Sequence, residues 1–262
     1  HKRKKATQSL LKGGMDGLQV DFYTDVNGKK ALTMLTVFVI FENYSGAITG
    51  YDIGLVEDGQ MVKNALYRHL EFNDWKGYKE LESDRGSGIL SNANKDILSK
   101  FCGFFNVSGG IDPDGNAGNP QKKFAERLVQ ELNRLTQSIK GWKGTNFYTR
   151  EMNRRPNPDH AKATNYMSLP KAITAIIDLI KVYNHEVQNS GLSRWERYSQ
   201  AIPENTILVD QLSATSLLIK PRIIKVIRQV VSFKDRGVDY EYELPDAISK
   251  RHLFSKSEHV LV

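Results

Sequence analysis

Residues 18–41, LQVDFYTDVNGKKALTMLTVFVIF, decide the fold class of this chain. In the first eight of them, apolar Leu18, Val20 and Phe22 alternate with polar residues, which predicts a strand with one polar face. After the turn VNGKK, residues 31–41 are almost continuously apolar and β-branched, as is typical of a central strand buried on both faces. Two adjacent strands therefore open the fold.

The segments that follow alternate between the two-residue periodicity of strands and the 3.6-residue periodicity of helices. AITGYDIGL (47–55), KELESD (79–84) and FFNVSG (104–109) predict further strands. Helices are expected from Asp58, from Ser91 or Asn92 to about residue 101, over about 120–140, and after Ser168. The resulting order is β-β-β-α-β-α-β-α, which predicts an α/β domain with five strands.

Past residue 200 the chain becomes rich in β-forming residues. ILVDQLSATSLLI, RIIKVIRQVVSF and VDYEYEL are such runs, and KDRG (234–237) is a hairpin-turn signal between the last two. They predict a small antiparallel β-barrel or meander, and we expect the barrel to be truncated at the last residue. We therefore expect a larger domain over 1–200, which is the candidate catalytic domain and has a basic tail at 1–14. A small β-barrel domain is expected over 201–262.

Composition excludes several classes of protein. The chain has 262 residues, of which 40% are hydrophobic and 26% charged, and no apolar run approaches the roughly 20 residues of a membrane span. Its single cysteine, Cys102, allows no internal disulfide and predicts a buried, reduced thiol and a cytoplasmic location. The basic start HKRKKATQSLLK lacks the apolar core of a signal peptide, which suggests a piece of a longer chain.

Positive charge is concentrated in one part of the chain. The formal net charge is +7, and residues 121–160 contain nine Lys/Arg against four Asp/Glu. By contrast, residues 201–262 contain nine Lys/Arg against eight Asp/Glu, so a merely solvated surface is as good an explanation there. The first distribution predicts a polyanionic partner such as DNA.

Three carboxylates fall where strand ends or a helix could aim them at one point. They are Asp21 in the first strand, Asp84 at the end of the fourth, and Glu126 in the helix after the Gly-rich loop. Converging carboxylates repel one another unless divalent cations lie between them, and Mg²⁺ and Mn²⁺ prefer such ligands. Asp25 on the same strand face as Asp21, and Glu131 on the same helix as Glu126, are the alternatives.

The helix expected over 120–140 is amphipathic. Its apolar stripe consists of Phe124, Leu128, Leu132, Leu135 and Ile139. Glu126 shares the opposite, polar side, whereas Glu131 lies at the edge of the stripe and is the weaker candidate. The glycine-rich loop at 109–118 is expected to be a flexible flap that lets Glu126 move toward the metals.

The chain resembles DDE transposases and retroviral-type integrases in four segments: VDFYTD (20–25), SDRGSGI (83–89), NPQKKFAER (119–127) and VYNHEVQNSGLSRWERY (182–198). The resemblance implies an RNase H-like catalytic domain with a mixed five-stranded sheet and flanking helices. With the β-rich tail at 214–244, the chain looks most like the phage Mu transposase group. The expected Thr-Pro pair after the YN segment is replaced by LSRW (192–195), a departure that weakens assignment to a particular subfamily.

The resemblance implies a DNA transposase core that nicks the 3′ ends of a mobile element and transfers them into target DNA. Asp21, Asp84 and Glu126 would bind two Mg²⁺ or Mn²⁺ ions. The implied partners are element-end DNA, target DNA, further copies of the chain in a DNA-bound tetramer, and an AAA+ ATPase that selects the target. The implied location is the nucleoid of a bacterial or phage-infected cell. The DNA-binding residues are expected to be Lys122, Lys123, Arg127, Gln130, Asn133, Arg134, Lys220, Arg222, Lys225 and Arg228.

Two other functions remain open from the sequence. One is an RNase H-like nuclease that cuts without joining, and the other is a catalytically silent DNA-binding regulator. Other chemistries lack their motifs: RGSG (85–88) is not a complete nucleotide-binding fingerprint, and DPDGN (112–116) does not fit the spacing of an EF-hand. The histidines show no zinc-ligand spacing, and no nucleophile elbow is present.

Overall fold

The protein was analysed as a computed structural model. The structure describes residues 6–26, 29–83, 92–107 and 167–218, eight residues between 128 and 139, and strands at 223–227, 230–235, 238–243 and 259–261. The helices are α1 Gly59–Phe72, α2 Asn92–Ser99, α3 Leu169–His185, α4 Arg194–Gln200 and α5 Gln211–Leu218. The strands are β1 Lys12–Val26, β2 Lys29–Glu42, β3 Ile48–Gly54, β4 Lys76–Gly77, β5 Glu80–Ser83, β6 Phe104–Val107, β7 Met167–Ser168, β8 Ile207–Leu208, β9 Ile223–Ile227, β10 Val230–Asp235, β11 Val238–Glu243 and β12 His259–Leu261.

The main sheet is mixed, with the strand order β3-β2-β1-β5-β6. Strand β2 is antiparallel to both of its neighbours, β1 and β3. Strand β5 runs parallel to β1, and β6 runs parallel to β5. The short strand β7 also pairs with β1 in parallel. This topology confirms the predicted mixed sheet with flanking helices.

The β1–β2 hairpin is the longest feature of the sheet. Its pairing runs without interruption from Gly13↔Glu42 to Val26↔Lys29. Because side chains alternate along a strand, an uninterrupted register fixes which face of the sheet each of them occupies.

The two faces of the sheet carry separate cores. On one face Leu18, Val20 and Phe22 pack with Ile176 of α3 and with Leu132. The opposite face carries a second core, which includes Met15, Phe38, Ile40, Leu81 and residues of α1. Burying an aliphatic or aromatic side chain of this size contributes roughly 1.5–3 kcal/mol, so both faces hold the sheet in place.

Helix α1 begins where the sequence predicts. Asp58 is the N-cap, and its carboxylate accepts a hydrogen bond from the backbone N–H of Met61 at 2.8 Å. The buried residues Met61, Val62, Ala65, Leu66, His69 and Leu70 follow helical spacing.

The segment at 207–218 differs from the prediction of β structure. After the two-residue strand β8, Asp210 accepts a hydrogen bond from the backbone N–H of Ser213 at 2.8 Å, and α5 follows. Ala214 and Leu218, four residues apart, are buried in the core that contains α1. A short run that mixes apolar residues with Ser and Thr fits a strand as well as a helix, and tertiary packing decides between them. These residues pack against the N-terminal part of the chain, while a domain boundary at residue 200 stays a prediction.

The C-terminal strands form a second sheet in the order β11-β10-β9-β12. The predicted hairpin at KDRG is confirmed, because Asp235 pairs with Val238 across a two-residue connection. The described part of this sheet is antiparallel and has two edges. Closure into a barrel therefore stays a prediction.

Two smaller expectations also have outcomes. Cys102 is a buried free thiol, as predicted, and burial raises its pKa to about 11. Among the described residues, no helix combines the length and the hydropathy that crossing a membrane requires.

Candidate active site

The parallel pairing of β1 with β5 ends at two residues that are each followed in the sequence by an aspartate. The ladder runs from Lys12↔Glu80 to Met15↔Ser83. Asp16 directly follows Met15, and Asp84 directly follows Ser83. Asp16 is part of β1, whereas Asp84 lies outside the described residues.

Asp21, the predicted strand carboxylate, lies elsewhere on β1. It is six residues beyond Met15, about 20 Å along an extended strand at roughly 3.3 Å per residue. Its register partner is Met34 on β2, whose side chain is 47% exposed. Asp21 is therefore remote from the β1–β5 ladder that leads to Asp84.

Asp16 and Asp21 also occupy opposite faces of β1. Asp16 has the same parity as Leu18 and Val20, whose side chains pack with Leu132. Asp21 has the opposite parity and faces away from that helix. Asp16 therefore lies on the sheet face that receives the helical segment following Glu126, and Asp21 does not.

The helical segment after Glu126 has the orientation predicted from its periodicity. Residues 128, 130–132 and 134–136 are helical. Leu132 is buried, and Leu128, Leu135 and Ile139 pack against the same core. The described members of the apolar stripe thus face the sheet.

The predicted DNA-binding residues are described only in part. Gln130 and Arg134 are exposed on the polar side of the helical segment. Lys225 belongs to β9, where it pairs with His259 of β12. The catalytic candidates Asp84 and Glu126 and the glycine-rich loop at 109–118 lie outside the described residues. The same is true of the remaining DNA-binding candidates, which are Lys122, Lys123, Arg127, Asn133, Lys220, Arg222 and Arg228.

Glu131, the weaker alternative to Glu126, is used in a different interaction. Its carboxylate accepts a hydrogen bond from the guanidinium of Arg194, whose side chain is only 5% exposed. A carboxylate held in a partly buried ion pair is already neutralised, so this contact leaves Glu126 as the better candidate on this helix.

A lysine forms ion pairs with the two acids of β5. Lys12 Nζ donates to Glu82 at 2.5 Å and to Glu80 at 3.2 Å. Burial raises the pKa of the Glu82 carboxyl, and the hydrogen bond and charge of Lys12 oppose that rise. The register places these three side chains on the same face as Asp16. With its single positive charge, Lys12 thereby offsets one of the two negative charges of this pair of acids.

The carboxylate of Asp16 is a type of ligand that suits hard divalent cations. Asp16 is only half-buried, and its Oδ1 accepts a hydrogen bond from the backbone N–H of Gly17 at 2.9 Å. Carboxylate oxygens are the ligands preferred by Mg²⁺ and Mn²⁺. Within the described ranges, no group of three or more His, Cys, Asp or Glu residues forms a metal-binding cluster. A complete site would therefore need the carboxylates of Asp84 and Glu126.

The local pattern of the sequence does not place Asp16 in a strand, because two glycines precede it. Gly13 and Gly14 break the apolar alternation, so the strand was expected to begin at residue 18, whereas β1 begins at Lys12. A Cβ at Gly14 would lie 2.5 Å from the ring of Phe41, and one at Gly13 would lie 2.8 Å from the ring of Tyr78. The glycines make room for aromatic rings, and only the packed sheet reveals that they belong to a strand.

Comparison with known proteins finds structures that are similar to this chain, but no relative by sequence. No protein-family model matches the chain, and no curated protein matches it significantly. One similar structure is a chain of the simian T-cell lymphotropic virus intasome in complex with PP2A regulatory subunit B56 gamma. Its sequence is 12% identical to this chain, and the TM-score is 0.49. The match covers 90% of this chain and 66% of the intasome chain.

Two further neighbours are structures of the HTLV-2 integrase catalytic core domain in complex with magnesium. The trimeric form shows 13% identity and a TM-score of 0.46, covering 74% of this chain and 99% of that one. The dimeric form shows 15% identity and a TM-score of 0.45, covering 73% and 98%. At these values the likeness does not bear on function, which has to be inferred from the strand order and the residues themselves.

Proposed function

We propose that the chain is a metal-dependent DNA transferase of the DDE transposase and integrase type, with Asp16, Asp84 and Glu126 as its catalytic carboxylates. The observation that carries the proposal is the Met15↔Ser83 pairing, in which each partner is followed in the sequence by an aspartate. Asp16 replaces Asp21 in this set because Asp21 lies on the other sheet face, far along the hairpin.

These three carboxylates would hold Mg²⁺ or Mn²⁺. Such ions, when bound as a pair, favour phosphoryl transfer by stabilising negative charge on the attacking and leaving oxygens. The protein's own contribution is to bring acids from two parallel strands and one helix to one sheet face, where a DNA phosphate can approach them.

The reaction proposed is a direct exchange of phosphodiester bonds. Water first cleaves the element strand and leaves a 3′-hydroxyl. That hydroxyl then loses its proton and bonds to a phosphorus of target DNA, while the bond to the target's own 3′ oxygen breaks and that oxygen takes up a proton. One phosphodiester is lost and one is formed in the second step, so it needs no ATP.

DNA contact is proposed for the polar side of the segment that carries Glu126. Gln130 and Arg134 are exposed there, and Lys122, Lys123 and Arg127 precede them in the sequence. Basic side chains contribute most of the salt-dependent affinity for phosphates. The C-terminal residues Lys220, Arg222, Lys225 and Arg228, assembly as a tetramer on DNA, and an ATPase partner belong to the proposal as secondary elements that follow from the family resemblance.

The test uses a branched DNA that imitates the product of strand transfer, because this substrate does not require the element's end sequence. The full 262-residue chain is incubated with it and Mn²⁺, and the products are separated on a denaturing gel. A transferase reseals the target strand by reversing the joining step. Cleavage without resealing would indicate a nuclease, and binding without either reaction would indicate a silent DNA-binding protein. Each of the latter two outcomes contradicts the proposal.

A further inference from the structure

Arg194, the first residue of α4, is a buried arginine that joins three parts of the chain. Its side chain is 5% exposed. One guanidinium nitrogen donates to the backbone carbonyl of Tyr183 at 2.8 Å and to the carboxylate of Glu186 at 3.2 Å. The other nitrogen donates to Glu131. Arg194 therefore links α4 and the end of α3 to the helical segment that follows Glu126.

The guanidinium also packs against an aromatic ring. Its carbon lies 3.9 Å from the centroid of the Tyr183 ring, and the hydroxyl of that tyrosine donates to the carbonyl of Gly46 at 3.1 Å. A cation over the face of an aromatic ring is attracted by the ring's electrons, especially where water is excluded. The position of the guanidinium is thus fixed by the Tyr183 carbonyl, the Glu186 carboxylate and the Tyr183 ring, independently of Glu131.

The α4 helix that carries Arg194 starts at a well-defined point. Ser193 is its N-cap, and the reciprocal hydrogen bonds of a capping box join Ser193 and Glu196. Because the cap fixes the first turn, the backbone of Arg194 cannot move freely along the helix axis. A rigid base gives the side chain a fixed reach toward Glu131.

The turn between β2 and β3 forms the floor of this cluster. Gly46 has a φ of +79°, and a Cβ there would lie 3.6 Å from Leu128, 3.9 Å from Arg194 and 4.0 Å from the Tyr183 hydroxyl. Leu128 is two residues after Glu126 in the sequence. The Arg194 cluster thus holds the beginning of the described helical segment against the sheet.

Apolar contacts alone would leave the helical segment free to slide and rotate slightly. Leu132 and its neighbours bury one stripe, but hydrophobic contacts are not directional. The ion pair between Arg194 and Glu131 is directional, and its partners come from segments 63 residues apart. It fixes the rotation of the described helical segment about its own axis, and Glu126 lies two residues before that segment in the sequence.

We propose that Arg194 is a positioning residue that acts through Glu131 to hold the Glu126 helix at the angle required for metal binding. This inference rests on the proposed function. It assigns no contact between Arg194 and DNA or the reacting phosphate.

Hydrogen exchange measured by mass spectrometry tests the positioning without any catalysis. Glu131→Gln keeps the shape of the side chain but removes its charge. The exchange of amides in 128–136 is expected to accelerate at least tenfold, while exchange in α1 stays unchanged. Lys181→Gln is the matched control, because it breaks an exposed ion pair with Asp178, at 3.1 Å, on the surface of α3.

Metal dependence supplies the second readout. Glu131→Gln and Arg194→Lys are each expected to raise the Mn²⁺ concentration for half-maximal turnover of branched DNA severalfold, with DNA affinity unchanged. The double variant should be no worse than the poorer single variant, because both substitutions break the same link. Additive effects, or exchange in 128–136 equal to that of Lys181→Gln, would overturn the inference.

The two proposals fail in different ways. If the wild-type chain is inactive on branched DNA, the proposed function fails, and hydrogen exchange still decides whether Arg194 fixes the helix. If the wild-type chain is active but the Mn²⁺ requirement of both variants matches that of wild type, the positioning role fails alone. Should Arg194→Lys not fold, Glu131→Gln decides, because the affected carboxylate lies at the edge of the helix and is partly exposed.

Discussion

Met15 on β1 and Ser83 on β5 are partners in a parallel ladder, and in the sequence each of them is followed by an aspartate. Side chains of paired residues on parallel strands point to the same face, and Asp16 shares its face of the sheet with Leu18 and Val20. The helical segment after Glu126 packs on that face through Leu132. From this relationship we expect the effects described below.

Asp16→Asn should abolish metal-dependent DNA chemistry, whereas Asp21→Asn should not. Removing a metal-binding carboxylate costs several kcal/mol of transition-state stabilisation, which corresponds to a loss of at least about 100-fold in rate. Asp21→Asn is expected to stay within about threefold of wild type, since a small surface change costs less than about 1 kcal/mol. Rates on branched DNA with Mn²⁺ and fluorescence anisotropy for binding provide the measurements. A selective loss in Asp21→Asn would restore Asp21 as the catalytic residue.

Gly50→Ala should destabilise the fold far more than Gly17→Ala. A Cβ at Gly50 would lie 2.4 Å from the backbone oxygen of Ala65 and 2.8 Å from the Cβ of His69, so helix α1 would have to move away from β3. Overpacking of this kind costs about 1–3 kcal/mol. At Gly17 the nearest atom is Oε2 of Glu57 at 3.0 Å, the end of a side chain that can rotate away.

Urea unfolding of the two glycine variants measures this difference. We expect the midpoint for Gly50→Ala to fall clearly and that for Gly17→Ala to stay close to wild type. Equal midpoints would mean that α1 does not pack on β3 as closely as the structure shows.

His69 should make the protein less stable as the pH falls below neutrality. Burial lowers its pKa to about 3, against an ordinary value of 6.5. Between these values the unfolded chain binds a proton that the folded chain does not, so the free energy of unfolding decreases as the pH falls from about 6.5 toward 3. At pH 5 the loss attributable to His69 is about 2 kcal/mol.

Comparison with His69→Gln isolates this contribution from that of other groups. Burial raises the pKa of the Glu42 carboxyl, which has the opposite effect on the pH dependence, but it does so in both proteins. The difference in unfolding free energy between variant and wild type should therefore change in favour of the variant on going from pH 7 to pH 5. A pH-independent difference would show that His69 titrates normally.

Tyr198→Phe should cost about 1–3 kcal/mol of stability, because a buried acceptor loses its donor. The Tyr198 hydroxyl donates to Oδ1 of Asn73 at 2.6 Å, and both residues are buried. Ser199→Ala on the same helix is the control, since its exposed hydroxyl donates only to the carbonyl of Trp195 within α4. Thermal unfolding of the two variants should separate them clearly, and a Tyr198→Phe midpoint equal to that of Ser199→Ala would contradict the hydrogen bond.

Local patterns in the sequence predict most of the strands and helices of the main domain. The alternation at Leu18, Val20 and Phe22 places them on one face, and the structure confirms it. Asp58 was expected to precede a helix, and it caps α1. These features depend on neighbours within a few residues, so sequence periodicity is sufficient to predict them.

Prediction was wrong where local patterns are ambiguous. The run that contains Ala214 and Leu218 has strand-like composition, yet it forms α5, because packing on α1 and the cap at Asp210 favour the helix. The strand around Gly13 and Gly14 was missed since glycine has a low strand propensity, and aromatic rings from distant segments fill the space beside it.

The sequence by itself determined the chemical types available here: carboxylates suited to divalent cations, a basic segment around Glu126, and alternating runs long enough to form a mixed sheet. Only the tertiary structure decided that Asp16, and not Asp21, follows the pairing that leads to Asp84, and that Glu131 is bound by Arg194. The physical reason is that strand register and side-chain pairing join segments more than 60 residues apart. They are set by the packing of the whole sheet and its helices, which no local pattern contains.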